Sequence, residues 1–248
     1  MALQHELSTP SLLKLLSFIF WGWTYIYCTE KAPNHSPEWH SRVVTLLHGS
    51  VATVAGLWQC GVTTIDRSKI TPANYALMLW SWGYFAFDLI WCIIYWSNSY
   101  VILWHHISAL IAVGMYMNKT YSGCTFACTL ALMEITNPFL QTRWLLRDSG
   151  YGQTKLYFIV ELTYLIMFLS LRGPLCTYLI YKILPSDYLD NDEKLISLAL
   201  YAVSIVFIYE ILGYVIYKYK NKIVSHFITF KNILYRIENI DVLFIDEG

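Results

Sequence analysis

Long blocks of hydrophobic residues, separated by short polar segments, make up most of the chain. A helix needs about 20 apolar residues to cross the hydrocarbon core of a bilayer. Two connecting segments, 98–100 and the one around Lys119, are so short that the helices beside them must be antiparallel neighbours. Gly173 and Pro174 in the sixth block predict a kink or an early end. The pattern predicts an all-α protein, a polytopic membrane helix bundle of about seven transmembrane helices. The blocks of sufficient length are 11–28, 43–65, 73–97, 101–118, 121–141, 156–184 and 195–217.

The two ends of the chain lie outside the predicted central domain. No small-residue cleavage site separates the first block from the charged Glu30-Lys31 pair, so we expect an anchor helix and not a signal peptide. The chain is therefore divided into an N-terminal anchor helix and loop (1–38), a central domain (39–220) and a cytosolic tail (221–248). Apolar residues at helical spacing in the tail fit either a helix on the anionic cytosolic leaflet or an ordinary solvated tail. These positions are Ile223, Phe227, Phe230, Leu234 and Ile237.

The composition agrees with a membrane location and excludes several functions. Hydrophobic residues make up 56% of the chain and charged residues 14%, against roughly 45–50% and 25% in soluble domains. Because Lys+Arg and Asp+Glu balance at 17 each, the net charge gives no indication of nucleic-acid binding. The six cysteines include no CxxC pair. We therefore interpret them as packing residues and expect no metal site and no cofactor.

Positive residues are unevenly divided between the two membrane faces that seven spans define. One face carries ten Lys or Arg residues and the other carries six. Because positive residues accumulate in cytosolic loops, the richer face, which includes the C-terminus, is predicted to be cytosolic. The sequence fits a location in the endoplasmic reticulum, in another endomembrane or in the plasma membrane. The richer face holds Lys31, Arg42, Arg143, Arg147, Lys155, Lys218, Lys220, Lys222, Lys231 and Arg236, and the other holds Lys14, Arg67, Lys69, Lys119, Lys182 and Lys194.

Ionisable side chains inside the predicted spans share the cytosolic half of the bilayer. Each costs about 2.5 to 3.5 kcal/mol at the bilayer centre even on a mild scale, so it needs a partner or a purpose. A polar chamber open toward the cytosol satisfies all of them. Structural alternatives also exist. His48 can snorkel or bond a neighbouring carbonyl, and Glu134 can pair with Arg143 or cap the backbone freed by Pro138. Arg172 is expected toward the opposite face as a structural or interfacial residue. The shared half holds His48, Asp88, His105, His106, Glu134, Glu161 and Glu210.

Four pieces of the sequence together resemble the TLC-domain family, the multi-span proteins that include ceramide synthases. They occur in the family's order and cover most of the chain. The Thr-Asn-Pro-x-Leu-Gln-x-Arg-Trp stretch is similar to that of a short branch of TLC domain-containing proteins, the transmembrane-protein-136 type. The pieces are EW at 38–39 with RVVTLLHG at 42–49, GYFAFDL at 83–89, WHH at 104–106 and EITNPFLQTRW at 134–144.

The resemblance implies an anchor helix followed by a six-helix bundle, with a lumenal N-terminus and a cytosolic C-terminus. Ceramide synthases use a paired-histidine motif in acyl transfer from acyl-CoA, and His105 and His106 match that motif. Those enzymes continue with an aspartate pair on the next helix, where this chain has Glu134 and Asn137 instead. The departure favours the short branch, which is associated with membrane lipid composition.

The first functional hypothesis is therefore lipid handling without chemistry. In this hypothesis a membrane lipid or acyl chain binds in a chamber formed by His48, Glu134, Asn137 and Arg143, and the protein contributes to lipid homeostasis.

The second hypothesis is an acyl-CoA-dependent lipid acyltransferase. His105 or His106 would act as base or acyl acceptor, and Asp88 or Glu134 would orient that imidazole. Since successive helical residues point about 100° apart, the two histidines can both face a chamber only at its edge. Basic residues at the cytosolic entrance would bind the CoA phosphates, or would reflect topology alone. These residues are Arg143, Arg147 and Lys155.

Overall fold

The computed structural model describes residues 9–61, 68–96 and 100–245, with side chains described from residue 10 to residue 220. Apart from one isolated bridge between Lys69 and Tyr121, these residues form helices and connecting turns, and the predicted all-α class is confirmed. A π-helical turn, Leu171–Leu175, joins the seventh helix to the eighth. The α-helices are α1 Thr9–Lys31, α2 Pro37–Gln59, α3 Pro72–Tyr95, α4 Tyr100–Met117, α5 Gly123–Glu134, α6 Asn137–Asp148, α7 Lys155–Ser170, α8 Cys176–Ile183 and α9 Asn191–Ile245.

Side-chain caps define where several helices begin. The hydroxyl of Ser36 accepts a hydrogen bond from a backbone N–H in the first turn of α2, and Thr154 does the same for α7. Thr71 and Asn74 form a reciprocal capping box at the start of α3. A proline follows the cap residue of both α2 and α3, where its missing N–H costs nothing. The polar segments between the hydrophobic blocks therefore act as helix start signals.

Four helical segments of the described chain are long and apolar enough to cross a membrane. Helices α1 and α2 have 23 residues each, which is within the length range of a span, although they are less apolar. The architecture is that of a polytopic helical membrane protein. The four segments are Pro72–Tyr95, Tyr100–Met117, Lys155–Ile183 and Asn191–Lys220.

The fifth hydrophobic block is two helices, and its prediction as one continuous span is wrong. Helix α5 ends at Glu134 and α6 begins at Asn137. Pro138 explains the break, because a proline cannot donate to the carbonyl four residues earlier and its ring clashes with that carbonyl. The sixth block continues as a helix to Ile183, and the expected irregularity at Gly173 and Pro174 takes the form of the π-helical turn.

The chain divides into two compact units, Met1–Ile205 and Val206–Gly248. In the first unit α2 packs against α3, α5 and α6, and α3 also packs against α1 and α4. Trp21 brings the predicted anchor helix into the core, because its side chain is fully buried and its Nε1 donates to the Trp80 carbonyl at 2.9 Å. The second unit consists of the remainder of α9, whose backbone stays helical to Ile245. The side chains of the predicted cytosolic tail lie outside the described residues.

A disulfide bond joins Cys60 and Cys128, so the interpretation of all six cysteines as packing residues is wrong for this pair. Cys60 ends α2 and Cys128 lies in α5. Because these two helices pack together, the Cα atoms lie 4.8 Å apart, within the range that a disulfide spans. Two cysteines without a short spacing in sequence therefore meet through the tertiary fold.

Candidate functional site

His48 lies at the centre of the contacts that α2 makes with its neighbours. Its ring is fully buried and stacks on Tyr84, with ring centroids 3.8 Å apart. Its Nε2 lies 3.4 Å from the Ser81 Oγ, and its Nδ1 lies 3.6 Å from Glu134 Oε2. The last distance is too long for a good hydrogen bond, but it is close enough for a strong attraction when the ring is protonated. His48 thus joins α2 to α3 and α5.

Glu134 is buried at the break between α5 and α6. Its Oε2 accepts a hydrogen bond of 2.6 Å from the Asn137 side-chain amide, which stands at the first position of α6. The break places these two residues side by side, so the same backbone feature that ends α5 supplies the carboxylate with a partner. The structure brings together His48, Glu134 and Asn137, three of the four residues predicted to line a lipid chamber.

The fourth residue, Arg143, is engaged elsewhere. Its Nε donates to Glu161 Oε1 at 2.9 Å, and the Tyr157 hydroxyl donates to the same oxygen at 3.1 Å. Glu161 is fully buried, so this ion pair is internal to the packing of α6 against α7. The sequence suggested Glu134 as a partner of Arg143, and the structure pairs Arg143 with Glu161.

Asp88 on α3 faces His106 on α4. The distance from Asp88 Oδ2 to His106 Nε2 is 3.2 Å, and both side chains are largely buried. The Tyr84 hydroxyl donates to Thr45 Oγ1 at 2.9 Å and lies 3.3 Å from the same carboxylate oxygen. This is the arrangement in which a carboxylate fixes the tautomer and the orientation of an imidazole.

Tyr84 connects the two groups of polar residues, because its ring contacts His48 and its hydroxyl reaches Asp88. We call the connected set the polar network. Ser81, Tyr84 and Asp88 lie three to four residues apart on α3, so they share one helix face. Ser81 and Tyr84 carry no charge, so their helical spacing from Asp88 is the sequence feature that places them in this set. The polar network consists of Thr45, His48, Ser81, Tyr84, Asp88, His106, Glu134 and Asn137.

His105 has different surroundings from His106. It lines a cavity in the first unit together with Glu134, and the lining comes from α3, α4, α5 and the first turns of α9. The described lining does not include His48, Asp88 or His106. The neighbouring histidines are therefore divided between the cavity and the polar network, as the angle between successive helical residues requires.

The cavity is mostly apolar, with a few polar groups. About 550 Å³ of empty space lies among its lining residues, a figure that includes the open mouth and the solvent beyond it. Tyr116, another lining residue, lies three turns beyond His105 along α4, roughly 16 Å at 1.5 Å per residue. The polar lining residues are His105, Thr129, Glu134 and Ser197, and the apolar or aromatic ones are Phe85, Ala109, Ala112, Val113, Tyr116, Phe126, Leu130, Met133, Ile196 and Leu200.

Arg172 and Glu210, the other ionisable residues noted in the spans, lie outside the polar network. Arg172 is buried, and its guanidinium donates to Ser204 Oγ at 3.1 Å and to the Met133 carbonyl. These contacts support the structural role expected for it. Glu210 is exposed and belongs to the second unit.

Arg42 connects two of the sequence pieces that carried the family resemblance. Its guanidinium donates to Glu38 at 2.8 and 3.0 Å and to the Gln141 side-chain carbonyl at 3.0 Å. The same group lies over the Trp144 ring, 4.7 Å from its centroid. The residues at 38–49 and 134–144 thus form one packed contact between α2 and α6.

Lys119 joins the end of α4 to the start of α9. Its ammonium donates to Asp190 at 2.7 Å and to Asp192 at 3.0 Å, and it lies 3.5 Å from Glu193. Burial alone lowers the pKa of Lys119, but the hydrogen bonds to Asp190 and Asp192 outweigh it, so the pKa is raised. The ammonium therefore stays charged and holds these helix ends together.

Comparison with known proteins identifies two kinds of similarity. Residues 38–218 match the family model described as the TLC domain. The chain is 25% identical over 167 residues to TLC domain-containing protein 4 A of Dictyostelium discoideum, covering 63% of each chain. It is also 25% identical over 134 residues to TLC domain-containing protein 4-B of Danio rerio, covering 49% of this chain and 48% of that protein. The matched stretch spans less than two thirds of either relative.

Proposed function

The chain belongs to the TLC-domain family, and we propose that it handles membrane lipids by holding the apolar chain of a lipid in the cavity beside His105 and Glu134. Members of the family are membrane proteins tied to lipid metabolism or sensing. The proposal assigns that general role to a particular place in this chain and extends it to lipid homeostasis.

The observation that carries the proposal is the cavity and the order of its lining. Its two ionisable groups, His105 and Glu134, lie at one end, and Tyr116 lies about three helical turns away along α4; Thr129 and Ser197 are the other polar lining residues. An apolar lining with few polar groups suits a lipid, because the groups orient one polar end while the walls bury the chain. Glu134 also belongs to the polar network, because it contacts both His48 and Asn137. These contacts hold its carboxylate in position at this end of the cavity. In our topology this end faces the cytosol.

The proposal is tested by filling the cavity. Ala112 is buried and lines it, so Ala112→Phe should place a ring where the lipid chain lies. Lipids bound to the purified protein are measured by native mass spectrometry and by extraction. We expect wild type to retain lipid and Ala112→Phe to lose most of it.

The matched control is Ala202→Phe, the same change at an exposed position of α9. It should leave the bound lipid unchanged. Equal lipid content in all three proteins would show that the cavity is not the binding site.

An acyl-CoA-dependent acyltransferase is the second candidate, and the contact between His106 and Asp88 favours it. An imidazole held by a carboxylate is the arrangement of a general base. Against it, the imidazole that lines the cavity is that of His105, not His106. Arg143 is also neutralised by Glu161, which leaves the exposed Arg147 and Lys155 for CoA phosphates.

Incubation of the purified protein with isotope-labelled acyl-CoA and membrane lipids distinguishes the two functions. Under lipid handling no labelled acyl lipid forms above the background of the His105→Ala/His106→Ala protein. A time-dependent labelled product that this double variant does not make would establish the enzyme instead.

The location of the protein is also a proposal, namely the endoplasmic reticulum, another endomembrane or the plasma membrane, with a cytosolic C-terminus. The disulfide joins Cys60, at the end of α2, to Cys128, the sixth residue of α5. In our topology both positions are on the lumenal side. This agrees with the oxidising compartments in which disulfides persist.

A further inference from the structure

Three side chains of different chemistry converge where α3 packs against α4. Asp88 and Cys92 are one turn apart on α3, and His106 faces them from α4. One carboxylate oxygen, the Cys92 Sγ and one imidazole nitrogen all lie within 4.8 Å of one another. Asp88 and Cys92 are buried and His106 is largely so. The fold brings these side chains together, because α3 and α4 contribute them from separate stretches of sequence.

The chemistry of the three groups matches one metal better than others. Thiolate, imidazole and carboxylate are the three side-chain ligands that zinc takes in proteins. In a tetrahedral site with bonds of about 2.0 to 2.3 Å, neighbouring ligand atoms lie roughly 3.3 to 3.8 Å apart. The distance from Asp88 Oδ2 to His106 Nε2 is 3.2 Å, so only a small movement is needed there. Hard cations such as Mg²⁺ and Ca²⁺ take oxygen ligands and do not suit a thiolate.

Another cluster of possible metal ligands in the described part of the chain lacks this mixture of thiol, imidazole and carboxylate. Asp190, Asp192 and Glu193 also lie close together, but the ammonium of Lys119 is already bound among them. That group offers only carboxylates, two of its members are exposed, and Lys119 neutralises part of its charge.

The geometry points to a zinc site formed by Asp88, Cys92 and His106, with the fourth position open to a water molecule or a lipid oxygen. Three protein ligands with one open position are typical of zinc sites that act on a bound molecule. Zinc would release the proton of the Cys92 thiol on binding and offset the cost of burying the Asp88 charge. The inference does not rest on the proposed lipid function, because its evidence is the ligand set alone.

The test is the metal content of the full-length protein, purified in detergent without chelator. Inductively coupled plasma mass spectrometry should find about one zinc per chain in the wild type. Cys92→Ser, a change of one atom in a buried position, should lose most of the zinc. Cys176→Ser changes another buried thiol outside the site and should keep it.

A second measurement keeps the test valid if a variant folds poorly. Wild-type protein is stripped with a chelator and refilled with Co²⁺, and its absorption is recorded. A thiolate-to-cobalt charge-transfer band is expected in the wild type and in Cys176→Ser, and not in Cys92→Ser. The inference is overturned if wild type holds no zinc and shows no such band, or if Cys92→Ser keeps both zinc and band.

Discussion

At the residue scale, Tyr84 is the member of the polar network whose contribution can be isolated most cleanly. Tyr84→Phe keeps the ring that stacks on His48 and removes only the hydroxyl that bonds Thr45 and reaches Asp88. We expect the free energy of unfolding to fall by about 1 to 2 kcal/mol, the usual contribution of a buried hydrogen bond. The upper end of this range applies if the bond to the charged Asp88 contributes. Thermal unfolding in detergent measures the change. Tyr75→Phe on the same helix is the control, and a Tyr84→Phe protein no less stable than this control would contradict the assignment.

The two adjacent histidines should respond differently to removal. His106→Ala leaves Asp88 buried without its imidazole partner, which costs about 3 kcal/mol, so protein level and lipid phenotype should fall together. His105→Ala changes the cavity wall and should reduce the amount of lipid bound per molecule of protein.

Immunoblots and bound-lipid analysis of the single variants measure both effects, with exposed His35→Ala as the control. If His106→Ala is as stable as wild type and His105→Ala retains its lipid, the division of roles between the two histidines is wrong.

The cost of burying charge predicts which residues need partners, but it does not identify the partners. His48, Asp88 and Glu134 stand out in the sequence for this reason. Their contacts depend on helix packing and on the break after α5, which sets Asn137, and not Arg143, beside Glu134. The neutral Tyr84 sits in an apolar stretch, so only its helical spacing from Asp88 places it on the same face.

At the scale of elements, Gly83 permits the close contact between α1 and α3. A Cβ at this position would lie 2.6 Å from the backbone carbon of Ser17 and closer still to its side chain. Gly83→Ala should therefore separate the two helices and destabilise the protein by about 1 to 3 kcal/mol, the usual cost of overpacking. The measurement is the unfolding temperature in detergent.

Gly114→Ala on α4 is the matched control. A Cβ there meets its nearest atom only at 3.9 Å, and alanine is favoured over glycine in helices by up to about 1 kcal/mol. It should leave stability unchanged or raise it. If both variants have the same unfolding temperature, the close approach of α1 to α3 does not require a glycine at position 83.

Hydrophobic length predicts the positions of most helices, because both lipid and protein interior favour apolar side chains. It is less informative about interruptions, since a break needs no change in hydrophobicity. Pro138 was the sequence signal for the end of α5, whereas the π-helical turn at Leu171–Leu175 lets the chain pass Pro174 and remain helical. The disulfide was missed because its cysteines meet only through the packing of α2 on α5.

At the scale of the whole molecule, the distribution of positive residues predicts the topology. Ten Lys or Arg residues on one face against six on the other predict a cytosolic C-terminus. A C-terminal tag should bind antibody after selective permeabilisation of the plasma membrane, and an N-terminal tag should bind only after all membranes are opened. A protected C-terminal tag would mean that the number of spans is wrong by one.

We propose that the protein acts on membrane lipid composition through the cavity beside His105 and Glu134. The most direct measurement is a lipidomic comparison of cells that lack the protein and are complemented at equal levels with wild type, Ala112→Phe or Ala202→Phe. Loss of the protein should change the lipid profile, wild type and Ala202→Phe should restore it, and Ala112→Phe should not. Full restoration by Ala112→Phe, or a lipid profile that is unchanged when the protein is lost, would contradict the proposal.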